Sequence, residues 1–352
     1  MAVVLVLQAR GLGELLTAVP ALRALRRAQP RDHIVLAAPQ RLKPIIDLIA
    51  SVDTLVPTSE PAALRWDGQP PELAINLHGP DAESIAALSR TGAKRILSYR
   101  DPAFPDLAGP VWHTDTHEVE RWCRLLESGG IGADRRNLGL VPPVSTISHR
   151  DCVVVHVGAS APARRWPAER FAAVVRHLLV LGRDVVLTGD ESERDLALSI
   201  AARAGLPVGR VLAGGQNLIE VSATVAEAAL VISGDTGVSR LAVAFGTRTV
   251  LLFGPTPPHW NGPPQHLLAR HAVLWAGQLG DPDAQTPDAG LLRIDVGEVV
   301  DAVDKQLARR TVPGTESGRA PYRRVGWPVR ASAVQPSVPG SAPTRASLSA
   351  EA

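Results

Sequence analysis

The chain has 352 residues, 45% of them hydrophobic and 20% charged, with a formal net charge of +2. That size and composition fit two domains with real cores, and basic residues scattered along the chain, not gathered into a stripe, argue against nucleic acid as a partner. Two cysteines, Cys123 and Cys152, are too few for a disulfide scaffold or a zinc site and read as buried free thiols.

In chain order, the first half offers strands at Val3–Leu7, Ile34–Ala37, Leu73–Leu77 and Arg95–Ser98. Helical patterns lie near 20–28, 41–49, 81–90 and 117–128. The second half repeats the rhythm. "CVVVHVG", "DVVLTG", "LVISGD" and "TVLLFG" are Val- and Leu-rich runs bounded by glycine, as strands buried on both faces should be. Helical patterns at 168–181, 191–204, 217–228 and 238–245 separate them. This alternation predicts an α/β protein with two doubly wound parallel-sheet (Rossmann-like) domains facing a cleft. Their expected limits are 1–145 and 151–308, joined through "GLVPPVSTISHRD". The Pro-, Ser- and Ala-rich stretch 309–352 reads as a disordered tail. No apolar run reaches the ~18 residues of a membrane span, and the first run lacks the basic flank of a signal peptide. The expected location is the cytoplasm.

Ligands of such sheets bind beyond the carboxyl ends of the strands, so the loops after each strand carry the function. The first is "ARGLGELLTAVP". A dinucleotide fingerprint needs a third glycine where Leu16 stands, and Glu14 would repel a pyrophosphate at the helix start. A nicotinamide enzyme is disfavoured on both counts. Glu14 either complements a helix dipole or serves as a cleft carboxylate that takes a proton from a substrate hydroxyl. Pro20 suggests an irregular segment before a helix with that proline in its first turn.

Three later loops share a phosphate-and-sugar logic. "HVGASAPARRWPAERF" carries Arg164 and Arg165, guanidiniums suited to a diphosphate. "TGDESERDLA" places Glu191 and Glu193 at a helix start, either as dipole partners or as acceptors for ribose or sugar hydroxyls. In "ISGDTGVSRLAVAFGTRTVLLFGPTPPHW", Asp235 or Thr236 caps a helix whose first amides form an anion site. Asp281 and Asp283 form an Asp-x-Asp in a turn-rich loop, and His113 and His117 stand beside Glu118. Both groups read as turn or cap residues, and no metal is expected.

The turn "GLGELLTAVPALRAL", the loop "ARRWPAERF", the G-x-x-x-E from Gly189 to Glu193 and "GDTG…LA…FGT…LFGPT…W" occur in this order. Together they resemble glycosyltransferase family 9, the heptosyltransferase family, over roughly residues 2 to 305. The resemblance implies a GT-B fold and inverting, metal-independent transfer of a sugar from a nucleotide diphosphate donor, usually ADP-heptose, to a glycan or glycolipid acceptor. No cofactor is implied. The catalytic base, an Asp in the family, falls on Glu14, after Gly13. A donor-contacting Lys falls on Arg164, the acidic donor residue on Glu193, and the diphosphate-holding triplet on Asp235, Thr236 and Gly237. The family's usual His falls on Arg240, where added positive charge would favour a diphosphate. His78, after "LAINL", joins Gly13 and Glu14 on the acceptor side. A role in cell-envelope glycan synthesis follows, compatible with peripheral association at the inner face of the membrane. A binding protein that has lost transfer, and a nucleotide-sugar epimerase on the same plan, are the rival readings.

Overall fold

Apolar runs two to six residues long become the strands of two parallel sheets in the computed structural model, which describes residues 2–144 and 149–309. The first half runs β1 (Val3–Leu7), α1 (Leu12–Thr17), α2 (Val19–Ala28), β2 (His33–Ala38), α3 (Lys43–Ile49), β3 (Thr54–Pro57), β4 (Leu73–Asn76), α4 (Ala82–Ser89), β5 (Ile96–Leu97) and α5 (Glu118–Ser128). The second half starts with β6 (Val153–His156), α6 (Ala168–Val180), β7 (Val185–Thr188), α7 (Arg194–Ala204) and α8 (Leu218–Glu227). It continues with β8 (Leu230–Gly234), α9 (Gly237–Phe245), β9 (Thr249–Phe253) and α10 (Pro258–Asn261). It closes with β10 (His271–Trp275), α11 (Ala289–Arg293) and α12 (Val296–Ala308). The expected tail, Arg309 apart, and residues 145–148 of the expected linker lie outside the described residues.

The sheet orders are β3-β2-β1-β4-β5 and β10-β9-β8-β6-β7, every pairing parallel. Each order reverses once, between β1 and β4 in the first sheet and between β6 and β8 in the second. A reversal sends the crossovers on its two sides to opposite faces and opens a crevice at the carboxyl ends of the two strands. The loops in those crevices carry Glu14 and His78 in one sheet, Arg164 and Asp235 in the other.

Helix ends follow from local chemistry. Thr236 caps α9 and forms a capping box with Ser239, while Gly246 takes the left-handed conformation (φ 70°) that closes its far end. The opening turn differs from expectation. It is helical from Leu12, stops at Ala18, and a second helix restarts with Pro20 at its second residue. Glu14 therefore lies inside a first helical turn, not in an irregular lead-in.

One apolar cluster crosses between the halves. Val4, Leu15 and Leu22 belong to it together with Val154, Val231 and Leu241, all at most 1% exposed. Burying each such side chain is worth about 1.5–3 kcal/mol, so neither sheet is completed without the other. Cys123 and Cys152 are free and buried, as expected, and burial pushes their thiols up to about 12 and about 11. Leu15→Ala on α1 and Leu241→Ala on α9 are each expected to cost about 2–5 kcal/mol. Both should shift the same single denaturant transition, followed by fluorescence and circular dichroism. Two separated transitions, only one moving in each variant, would contradict a shared core.

Candidate active site

Helices α1 and α9 meet N-terminus to N-terminus where the two crevices face each other. Glycine makes the approach possible. A side chain on Gly13 would strike the Arg240 guanidinium, and a Cβ on Gly237 would sit 2.9 Å from Leu12 Cβ. Through this contact Arg240, on α9, reaches across to the first sheet's helices. Its guanidinium lies 3.4 Å from Asp235, 3.7 Å from Glu118 and 4.0 Å from Glu14. The side chains of Arg240 and Glu118 are 11% and 13% exposed, whereas that of Glu14 is 30% exposed and keeps a solvent-facing side.

Burial works against the Arg240 charge, yet the Asp235, Glu118 and Glu14 carboxylates together hold its guanidinium above the ordinary value. Burial pushes the Glu118 carboxyl up, Arg240 pulls it down and Glu14 pushes it up again. The expectation that Arg240 offers its charge to a diphosphate thus meets a different geometry: the guanidinium is turned onto three carboxylates. Asp235, 4% exposed, is equally committed. It accepts a hydrogen bond from Thr256 Oγ1 at 3.0 Å and pairs with Arg164 at 3.6 Å. The Asp of Asp-Thr-Gly therefore orients two arginines, and the hydrogen-bond donors left beside it are Arg164 and the first amides of α9. The capping box occupies the Thr236 and Ser239 amides, leaving those of Gly237 and Val238.

Glu193, 6% exposed, is inward-facing. Its carboxylate accepts from the Asp190 amide at 2.8 Å, and the Asp190 carboxylate accepts from the Glu193 amide at 3.1 Å. It lies so close over Gly158 that a Cβ there would displace it. Burial raises its carboxyl, against bonds from the backbone at Asp190 and Ala159. Glu193 thus braces the loop that presents Arg164. Arg165 braces it too, donating twice to the Ala159 carbonyl at 3.1 and 2.9 Å.

On the first sheet, buried Asn76 fixes the His78 loop. Its amide donates to the Gly79 carbonyl at 2.9 Å, and its carbonyl accepts from the His78 amide at 3.1 Å. Burial, then Arg10, lowers the His78 imidazole, while Asp81 and Glu14 act in the opposite sense. His78 and Glu14 thus lie near enough on this side of the first sheet for the Glu14 charge to act on the imidazole.

Three features of this junction are not legible in the sequence. Glu118 looks there like an ordinary acid in a helix's first turn. Thr256 looks like part of a turn. Asp115 accepts from Trp260 Nε1 at 3.0 Å and pairs with His259 Nε2 at 2.6 Å, a further bridge between the halves. His117 does cap α5, accepting from the Val119 amide, and its other ring nitrogen meets the Gly262 carbonyl at 3.0 Å. Asp281 accepts from the Asp283 amide in a local turn. No group of three or more His, Cys, Asp or Glu among the described residues is arranged to hold a metal ion. No described helix is long and apolar enough to cross a membrane.

Residues 112–279 match the family model described as Glycosyltransferase family 9 (heptosyltransferase). Among curated proteins, lipooligosaccharide heptosyltransferase 2 of Haemophilus influenzae is 32% identical over 29% of this chain and 30% of its own length. Lipopolysaccharide heptosyltransferase 1 of Pseudomonas aeruginosa is 30% identical over 51% of this chain and 50% of its own. The chain thus spans between 30% and 50% of the length of the curated relatives it matches. Among solved structures, a family 9 glycosyl transferase from Veillonella parvula superposes with a TM-score of 0.72 at 20% identity, over 88% of this chain and 98% of that one. The E. coli ADP-heptose lps heptosyltransferase II gives 0.71 at 20% identity, over 88% and 99%. At that identity the likeness establishes the fold, which is GT-B.

His156 ends β6 beneath the Arg164 loop, with Nδ1 3.2 Å from Thr188 Oγ1, and burial pushes its imidazole from 6.5 down to about 4. Between those two values the unfolded chain binds the extra proton and the folded chain does not. This group therefore contributes stability that rises with pH through that window and is lost on acidification. His156→Gln should flatten the fall in denaturant midpoint between about pH 6.5 and pH 4. An unchanged acid slope in that variant would contradict the assignment.

Proposed function

We propose, from the premise that this chain carries a glycosyltransferase family 9 domain, that it is a glycosyltransferase. In this reading it moves a heptose-like sugar from a nucleotide diphosphate donor to a glycan or glycolipid acceptor, with inversion and without a metal. Residues 1–145 present the acceptor and residues 151–308 hold the donor. One observation carries the reading. A half-open carboxylate, Glu14, stands at the first sheet's switch point, opposite Arg164 and the amide end of α9 at the second sheet's switch point.

The chemistry follows from that opposition. The acceptor hydroxyl lies on the Glu14 and His78 rim. As its oxygen attacks the anomeric carbon, its proton passes to the Glu14 carboxylate. The bond from the anomeric carbon to the β-phosphate oxygen breaks on the opposite face, which inverts the centre. The electron pair leaves with the nucleoside diphosphate. Arg164 and the Gly237 and Val238 amides meet the charge that grows on that leaving group, a preorganised environment that needs no rearrangement during the step. Asp235 and Glu193 hold this arrangement in place: Asp235 pairs with Arg164, and Glu193 braces the loop beneath it. An ADP-heptose-like donor and an envelope glycolipid acceptor are in keeping with relatives that are ADP-heptose and lipooligosaccharide heptosyltransferases, and in this reading the protein works at the inner face of the cell membrane.

Glu14→Gln keeps the size of the side chain and removes the base. Turnover, read as release of ADP from ADP-heptose in the presence of lipopolysaccharide-core acceptor, should fall by ~10²–10⁴-fold. The Kd for ADP, measured by calorimetry, should stay within about twofold. Undiminished turnover would remove Glu14 from the mechanism, and wild-type protein that binds ADP but transfers nothing would favour the binding-only reading.

A further inference from the structure

Glu14 faces charge from three directions. On α9 stands Arg240, on α5 Glu118, and on the loop after β4 His78, with Arg10 and Asp81 behind it. Asp235 lies on the far side of Arg240. The cation is the centre of this set. It is almost fully buried, it comes from the opposite half of the molecule, and each of its carboxylates sits on a different segment: α1, α5 and the turn before α9. A side chain at Gly13 would push the guanidinium aside, because it passes directly over that backbone. At 3.4 to 4.0 Å from its three carboxylates, the guanidinium is shared among them without a close bidentate pair. Such a cation is poised to follow changes in the charge of any one of them.

We propose that Arg240 and Glu118 are positioning residues for the cleft carboxylate: the shared guanidinium fixes where Glu14 points, and Glu118, by taking part of that positive charge, keeps Glu14 from being locked into a full ion pair. The inference rests on the reading of Glu14 as the base. It differs from the role that resemblance implies for Arg240, because the residue acts on the carboxylate and not on the donor.

The two residues are expected to act on Glu14 with opposite signs, which a purely structural role would not produce. Without Arg240, Glu14 faces Glu118 and Asp235 with no cation between, and its protonated form is favoured. Without the Glu118 charge, Arg240 acts more fully on Glu14, and the ionised form is favoured. The experiment is a carbon-13 titration of the glutamate side-chain carboxyls in the full-length protein, with Glu14 assigned by the signal lost in Glu14→Gln. Arg240→Met should raise the Glu14 midpoint by about one pH unit, the size expected for losing an opposite charge within ~4–6 Å. Glu118→Gln should lower it by a few tenths, and the acid limb of turnover should follow in each variant. If both variants fold and the Glu14 midpoint stays at its wild-type value, the inference is overturned. Should Arg240→Met fail to fold, the isosteric Glu118→Gln decides by itself, a midpoint unmoved or raised overturning it. These outcomes are separate from the test of the base. Retained turnover in Glu14→Gln removes the catalytic reading, whereas lost turnover there with unmoved midpoints removes only this inference.

Discussion

The junction depends on one constraint: two helix starts must come close enough for a single buried arginine to be held by carboxylates from both halves. Gly13 and Gly237 supply the approach, and Arg240 fills it. A buried cation of this kind is not a source of stability by itself, since desolvation offsets much of the attraction. Removing the cation is another matter. It leaves the buried Glu118 carboxylate without its counter-charge, at about 3–5 kcal/mol. The arrangement is therefore better understood as fixing geometry. It holds α1 against α9 in one register, and with them the two crevices in which the chemistry is read.

The topology explains why these residues gather. Each sheet reverses its strand order once, and the loops at the reversals hold Glu14 and His78 on one side, Arg164 and Asp235 on the other. A parallel sheet can place polar loops only at its strand ends, because its faces are covered by helices. The shared parallel direction of the strands then brings both sets of carboxyl-end loops to the same junction. Around them the supporting bonds are short and specific: Asn76 beneath His78, Glu193 beneath the Arg164 loop, Thr256 against Asp235. These are the contacts that decide whether a carboxylate and a guanidinium stand at working distance or wander apart.

Much of this is written locally. Strand β1 begins and ends where the valine and leucine run does, and Thr236 caps α9 as its side chain demands. What the sequence hides is of two kinds. Strands β3 and β10 are edge strands with several half-exposed or exposed positions, so burial does not set "TLVP" and "HAVLW" apart as it does the central strands. The partners of Arg240 are hidden for a different reason. Glu118 lies more than a hundred residues away on another helix, in a position where an acid complements the helix dipole whatever else it does. Local chemistry gives such a residue a sufficient reason to exist, and only the fold gives it a second. The same holds for Glu193, whose spacing from Gly189 marks it as notable but whose inward turn onto Gly158 is a tertiary fact.

The central claim is that the carboxylate of one half looks across at the leaving-group site of the other. A crystal structure of the protein with bound ADP tests it most directly. The account predicts the two phosphates at the amide end of α9 beside Arg164, with Glu14 across the crevice on the side away from them and not in contact with either. Phosphates seated on the first sheet's loops, or Glu14 turned away from the crevice in that complex, would contradict it.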